Sequence, residues 1–381
     1  MEEIKDIVLK NSFEIKDIEV FALNIPLKKP IKMSGITVQN AQNIFIKIIS
    51  NNNLYGWGEA SSAPTMTGEF VEGMSAAGKF VKNQLIGIKI KKLFDVNVLK
   101  KLPIYENKGT LSAFEIALID LMLKEEKTSF QKFFGLRERN NISIIQMVAG
   151  FDLDEEITDV KNAVSNGFTR FKIKVGSSKS YKYDLERCAK IISSVDDTCI
   201  FSADANEGYT HEDALNFALE AKNCGLKFFE QPIPSKDLDF MNTITTQSSI
   251  PICSDEGVHS KSDINNIINN HTSNGVSLKT IKLGGMVDVM NCAILANRNN
   301  IFVNLAGKVA ETSISSYAIA NIATSIPQMD WDLSITNQYL VEDPVTINLK
   351  ISNGQINFEN TVGLGTELDI SKASKFIQQT S

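Results

Sequence analysis

Charged residues recur through the middle of the chain at a nearly constant interval. Lys172-Ile173-Lys174, Asp204-Ala205-Asn206, Glu230-Gln231-Pro232, Asp255-Glu256 and Lys282 follow one another, and Lys174, Asp204, Glu230, Asp255 and Lys282 lie 30, 26, 25 and 27 residues apart. Each cluster closes a short apolar run, so the charges stand at one height on successive strands. Three carboxylates brought together there would repel one another in a partly buried place. A hard divalent cation removes that repulsion, and three oxygen ligands with open positions for water and substrate suit Mg2+. A single acid at a strand end is ordinarily a helix cap. Three in register between lysines point instead to a metal site at Asp204, Glu230 and Asp255.

Lys172 and Lys174 are two residues apart on a strand and share a face. Two neighbouring ammonium groups lower one another's pKa, which favours a neutral amine able to act as a base. Lys282, read as the end of strand six, falls diametrically opposite strand two in an eight-stranded barrel. A substrate between them has a lysine on each face.

The elements that must hold these groups are regular. Apolar strands at 142–149, 169–175, 199–204, 226–231, 250–254, 276–282, 300–305 and 329–333 alternate with helical patterns such as Ile157, Val160 and Val164, or Leu185, Cys188, Ile192 and Val195. The pattern predicts an α/β fold, a parallel barrel whose active site lies at the C-terminal ends of its strands. No Gly-x-Gly-x-x-Gly follows a strand, so a nucleotide-binding open sheet lacks its fingerprint. The first 138 residues differ: a hairpin of 44–49 with 54–59, a helix opening on the capping-box pattern Ser112-x-x-Glu115, and Gly-containing loops at 30–37 and 61–69. Residues 1–138 are therefore read as an α+β capping domain joined by the tail 345–381, and 139–344 as the barrel.

Composition narrows the partners. With 39 Lys+Arg against 45 Asp+Glu, the net charge of −6 argues against nucleic acid or an anionic membrane. No run approaches the roughly 20 apolar residues of a membrane span. The opening Met1-Glu2-Glu3-Ile4-Lys5-Asp6 has neither the basic flank nor the apolar core of a signal peptide. Five scattered cysteines suit a reducing, cytoplasmic setting. Three dispersed histidines leave the chemistry to carboxylates and lysines.

In this order and spacing, Lys-x-Lys, Asp-x-Asn, Glu-Gln-Pro, Asp-Glu and a final Lys resemble the enolase superfamily, in its muconate-lactonizing subgroup. Gly56-Trp57-Gly58-Glu59-Ala60 is similar to that family's cap hairpin. The resemblance implies a (β/α)7β barrel, a modified TIM barrel, with Mg2+ on Asp204, Glu230 and Asp255. It implies Lys174 and Lys282 as the acid/base pair, beside Lys172, and removal of a proton α to a carboxylate. Asn206, Gln231 and Glu256 would then orient the metal ligands. Asp330-Trp331-Asp332, read at the eighth strand, resembles the Asp-x-Asp with which dipeptide epimerases hold a substrate's ammonium group.

The expectation is a Mg2+-dependent dipeptide epimerase with a small dipeptide as its substrate, and a homo-oligomer. An Ala-Glu epimerase, a cycloisomerase or o-succinylbenzoate synthase-type elimination with the same lysines, and a non-catalytic ligand-binding barrel are the alternatives. Three departures bear on specificity. The family's Gly-Gly six residues after the second lysine is replaced by Val287-Asp288, with Gly284-Gly285 earlier. Gly307-Lys308-Val309 stands where relatives carry Gly-Ser-Met, so Lys308 either reaches the substrate or is solvated. Ile36, beside Gly35, stands where Ala-Glu epimerases carry an arginine, which points to an apolar side-chain pocket of Ile36, Met33 and Met66, unless Lys32 or Lys308 reaches in.

Overall fold

The structure is a computed structural model that describes residues 3–33, 36–135, 139–150, 152–176, 180–358 and 361–378. Gly35 lies outside the described residues, as do the side chains of Lys32 and Met33. The chain begins with an antiparallel sheet in the order β3-β2-β1-β4, made of β1 (Val8–Met33), β2 (Ile36–Ser50), β3 (Tyr55–Ser61) and β4 (Lys89–Lys92). The segment 30–37, read as a loop, is instead mostly paired strand: Ile31, Lys32 and Met33 stand opposite Val38, Thr37 and Ile36. Ile36 is thus the start of β2 and is 39% exposed.

Helix α1 (Val71–Leu85) and helix α2 (Lys108–Glu125) pack on this sheet. α2 is buried almost throughout, and β3 lies directly on it. A Cβ on Gly56 would stand 2.1 Å from the Ala117 carbonyl oxygen, and one on Gly58 would stand 1.9 Å from that of Ala113. The two glycines of the hairpin motif are what allow strand and helix backbones to touch. The capping-box reading of Ser112 and Glu115 is corrected, since α2 begins four residues before Ser112. Its first amides, Gly109 and Thr110, donate to Glu69 instead (2.8 and 2.9 Å).

A short ribbon of β5 (Asn141–Ser143) with β14 (Gln355–Asn357) ties the chain entering the barrel to the tail. Among the described residues, eight parallel strands then follow in sequence order: β6 (Ile145–Val148), β7 (Arg170–Lys174), β8 (Ile200–Asp204), β9 (Leu226–Glu230), β10 (Ile252–Ser254), β11 (Gly275–Leu278), β12 (Phe302–Ala306) and β13 (Leu333–Ser334). A bridge between Ile144 and Leu333 brings the two edges together, so the sheet is a nearly closed (β/α)7β barrel. The helical patterns around Val160 and Cys188 are the helices Leu153–Ser165 and Tyr181–Ile192.

Two strand readings overran, with consequences for the site. β11 ends at Leu278, and β13 begins only at Leu333. No helix among the described residues is long and apolar enough to cross a membrane.

Candidate active site

The strand register sets the site's floor. Lys174 pairs with Asp204, Asp204 with Glu230, and Cys253, two residues before Asp255, also lies opposite Glu230. The three acids therefore project from neighbouring strand ends at one height, buried at 2%, 1% and 0% exposure. Each faces an ammonium group: Lys174 is paired with Asp204, Lys172 with Glu230, and Lys279 with Asp255. These groups line one cavity of about 60 Å3 together with Lys308, Ser334, Thr336 and Tyr339. That is room for about two waters, so the lysines stand where a ligand would go. Wider cavities flank it. One of about 620 Å3 carries Gln231 and Glu256 on one side and Thr65 and Met66 of the cap segment 61–69 on the other.

Lys279, not Lys282, is the strand-six lysine of this cavity. It directly follows β11, whereas Lys282 lies in the helical turn Thr280–Leu283 that comes next. The turn carries Lys282 out of the cavity to full burial, where it bonds Asp255 Oδ1 (2.6 Å) and the Ser277 carbonyl (3.0 Å). The signal was present in the sequence, because Lys279 closes the apolar run Gly275–Leu278 and Gly285 lies six residues after it. The apparent departure at Val287-Asp288 disappears with this register.

The expectation that Lys172 is lowered by its neighbour on the strand is also corrected. Burial would push the Lys172 ammonium down, but the Glu230 and Asp204 carboxylates outweigh it and hold it above the ordinary lysine range. Lys279 is raised likewise, burial being outweighed by Asp255 and Glu230. Lys282 is lowered, by burial and by Lys279.

Asp330 and Asp332 are at the wrong end of the barrel to meet a substrate. They precede β13 and lie beside the strands' N-terminal ends, where the Asp332 carboxylate pairs with Arg170 Nε (2.9 Å) and the Val303 amide donates to Asp330 (3.0 Å). Arg170 opens the strand that Lys174 closes, and four residue steps of strand span about 13 Å. Trp331 between them stacks on Phe228, with centroids 4.2 Å apart. A polar-apolar-polar triplet reads alike whether it enters or leaves a strand, and only the strand's start distinguishes the two. The residues that do leave β13 toward the cavity are Ser334, Ile335 and Thr336.

Ile36 does not line the cavity. The hairpin pairing of β1 with β2 holds it at the sheet's end instead. Lys308 does line it, only 5% exposed, which removes the solvated alternative.

The polar groups beside the acids form a connected set. Asn206 accepts from Lys174 (2.8 Å) and donates to Glu256 Oε1 (3.0 Å). Gln231 Oε1 accepts from the Asp255 amide (2.9 Å). Glu256 Oε2 is buried without a hydrogen-bond partner, and burial, then Asp255 and Asp204, push that carboxyl up to about 8. Burial, outweighing Lys172, also raises Glu230, with Asp204 and Asp255 adding to the rise. Crowded carboxylate oxygens of like charge are a donor set that a divalent cation stabilises. As the side chains stand, with ammonium groups between the acids, no three acids, histidines or cysteines among the described residues converge on a single point. The oxygens fit Mg2+ by type and register, and the lysines would have to turn aside to admit it. Sequence reasoning also passed over Tyr339, which lines the cavity and carries no spacing signal.

Family models match both parts of the chain: the mandelate racemase / muconate lactonizing enzyme N-terminal domain over 15–135, and the enolase C-terminal domain-like model over 155–373. The chain belongs to the enolase superfamily, in its muconate-lactonizing subgroup. Relatives within the superfamily are isomerases of more than one kind. An L-Ala-D/L-Glu epimerase of Clostridium acetobutylicum is 27% identical over 359 residues, 93% of this chain and 98% of that protein. A chloromuconate cycloisomerase of Pseudomonas putida is 25% identical over 368 residues, 95% of this chain and 99% of that one. Among solved structures, a dipeptide epimerase from Cytophaga hutchinsonii complexed with Mg and D-Ala-L-Val superposes with a TM-score of 0.89 at 25% identity, covering 96% of this chain and 98% of that one.

Proposed function

We propose that this protein is a Mg2+-dependent isomerase that inverts the α-carbon of an N-acylated or peptide-linked amino acid by proton transfer between two lysines. The observation that carries the reading is the placement of Lys174 and Lys279. They stand at the ends of strands four apart in an eight-stranded barrel, within one cavity. A planar carbon held between them is open to one amine on each side. In the forward direction one lysine, as the neutral amine, takes the α-proton, and the electron pair moves toward the substrate's carboxylate. The other, as ammonium, returns a proton to the opposite face. Asp204, Glu230 and Asp255 would hold Mg2+, which supplies positive charge beside the substrate carboxylate and so lowers the barrier by several kcal/mol, in the ~3–5 range. Asn206, Gln231 and Glu256 position these acids, and Lys172 balances the charge of Glu230.

The similarity to dipeptide epimerases supports an amino-acid substrate. A free ammonium group draws no support from Asp330 and Asp332, and an apolar side-chain preference draws none from Ile36. The neutral ends of β13 favour a second reading, cycloisomerisation of a non-amino acid substrate with the same lysines and metal. Proton NMR in heavy water separates the two. A panel of dipeptides and N-acyl amino acids is expected to lose the α-proton signal with Mg2+ and keep it with chelator. No exchange on the whole panel would reject the amino-acid reading.

A further inference from the structure

The cavity holds one cation that its acids do not answer. Lys174 and Lys279 each pair with a carboxylate, but the Lys308 ammonium has no carboxylate within 4.0 Å among the described residues. Its one hydrogen bond there is to its neighbour's carbonyl, Val309 O at 3.3 Å. At 5% exposure it is buried, and it lines the same cavity as the lysine pair. A buried ammonium so poorly partnered is costly to leave empty. Burial, with Lys279 next to it, accordingly pushes it down to about 8. Its neighbour Glu311 does not cancel the charge, because burial and Glu59 push that carboxyl up to about 8 as well.

The mouth is divided in charge. The acids occupy the ends of β8, β9 and β10, Lys308 follows β12, and β13 supplies the neutral Ser334 and Thr336. A substrate carboxylate drawn to the metal site leaves the opposite wall facing a cation and hydroxyls. From this we infer that Lys308 is a specificity residue that binds a second anionic group, a carboxylate on the acyl part of the substrate. The inference rests on the function proposed above and narrows its substrate class to N-acyl amino acids with a carboxylate at the far end of the acyl group. The bond is a charge-assisted one from an ammonium group with three donors, of which one is in use.

Two ligands that differ only in that charge test it: N-succinyl-phenylalanine and its neutral succinamoyl counterpart. Both are titrated calorimetrically into the Mg2+-loaded protein, and both are followed for α-proton exchange in heavy water. Wild type is expected to prefer the charged ligand at least tenfold in affinity. In Lys308→Met the ratio should fall to about one, and in Lys308→Arg most of the preference should return. Equal affinities in wild type, or an unchanged ratio in Lys308→Met, would overturn the inference. A preference that depends on Lys308 without any exchange would sustain it while rejecting the proton-transfer chemistry. Exchange without preference would do the reverse.

Discussion

At the scale of single residues, the decisive distinction is which side of a strand a charged group occupies. Asp332 precedes β13 and Lys174 ends β7, with only β6 between those strands across the closure, yet one is bound to Arg170 below and the other to Asp204 above. Asp332→Asn should therefore act on stability alone. The pair is about a quarter exposed at each partner, so solvent screening limits the loss to roughly 0.5–1.5 kcal/mol. Chemical denaturation of the variant measures this, and kcat/KM should change by the same small factor on free dipeptides and on N-acyl amino acids. A loss confined to free dipeptides would return Asp332 to the substrate site. The acids and Lys-x-Lys were legible because each ends an apolar run of ordinary length. Lys279 was missed because Ile281 and Leu283 prolong the apolar pattern beyond the true strand, a continuation that a buried helical turn and a strand share.

At the scale of elements, the cap and barrel are joined by carboxylates set on helix N-termini. Glu59, from the β3 hairpin, accepts from the Thr312 hydroxyl (2.6 Å) and from the Ser315 amide (3.0 Å) at the start of the helix Ser313–Ser325. Glu115, on α2, accepts from the Val287 amide (2.9 Å) at the start of the helix Met286–Arg298, and a Cβ on Gly285 would stand 2.2 Å from it. Gly285 thus lets a cap helix reach the barrel helix that follows the Lys279 turn. The sequence shows the glycines and the acids, but partners some 170 or 250 residues apart carry no local pattern, so Glu115 reads as a capping box of its own helix. Close approach also governs β3. Gly58→Ala should cost about 2–4 kcal/mol, since backbone on both sides must move. The measurement is the urea midpoint, and a variant as stable as wild type would contradict the packing of β3 on α2.

At the scale of the whole molecule, the buried cap acids make stability depend on pH. Burial, opposed by their helix amides, pushes Glu59 and Glu115 from 4.5 up to about 7. A carboxyl raised on folding binds its proton more tightly in the native state. Its contribution is complete below about pH 4.5, where both states are protonated, and is lost as pH rises toward about 7. Glutamine at 115 does not titrate. Relative to Glu115→Gln, wild type should therefore lose about 1–3 kcal/mol of unfolding free energy between those values. A difference that stays constant with pH would show that Glu115 keeps its ordinary acidity.

The central claim is that Lys174 and Lys279 serve opposite faces of one carbon. α-Proton exchange in heavy water, started separately from each antipode of the best substrate, tests it in Lys174→Ala and Lys279→Ala. Both variants should fail to interconvert the antipodes. Each should retain exchange from one antipode only, and the retained antipode should differ between them. Interconversion persisting in Lys279→Ala, or loss of the same antipode in both variants, would contradict the account.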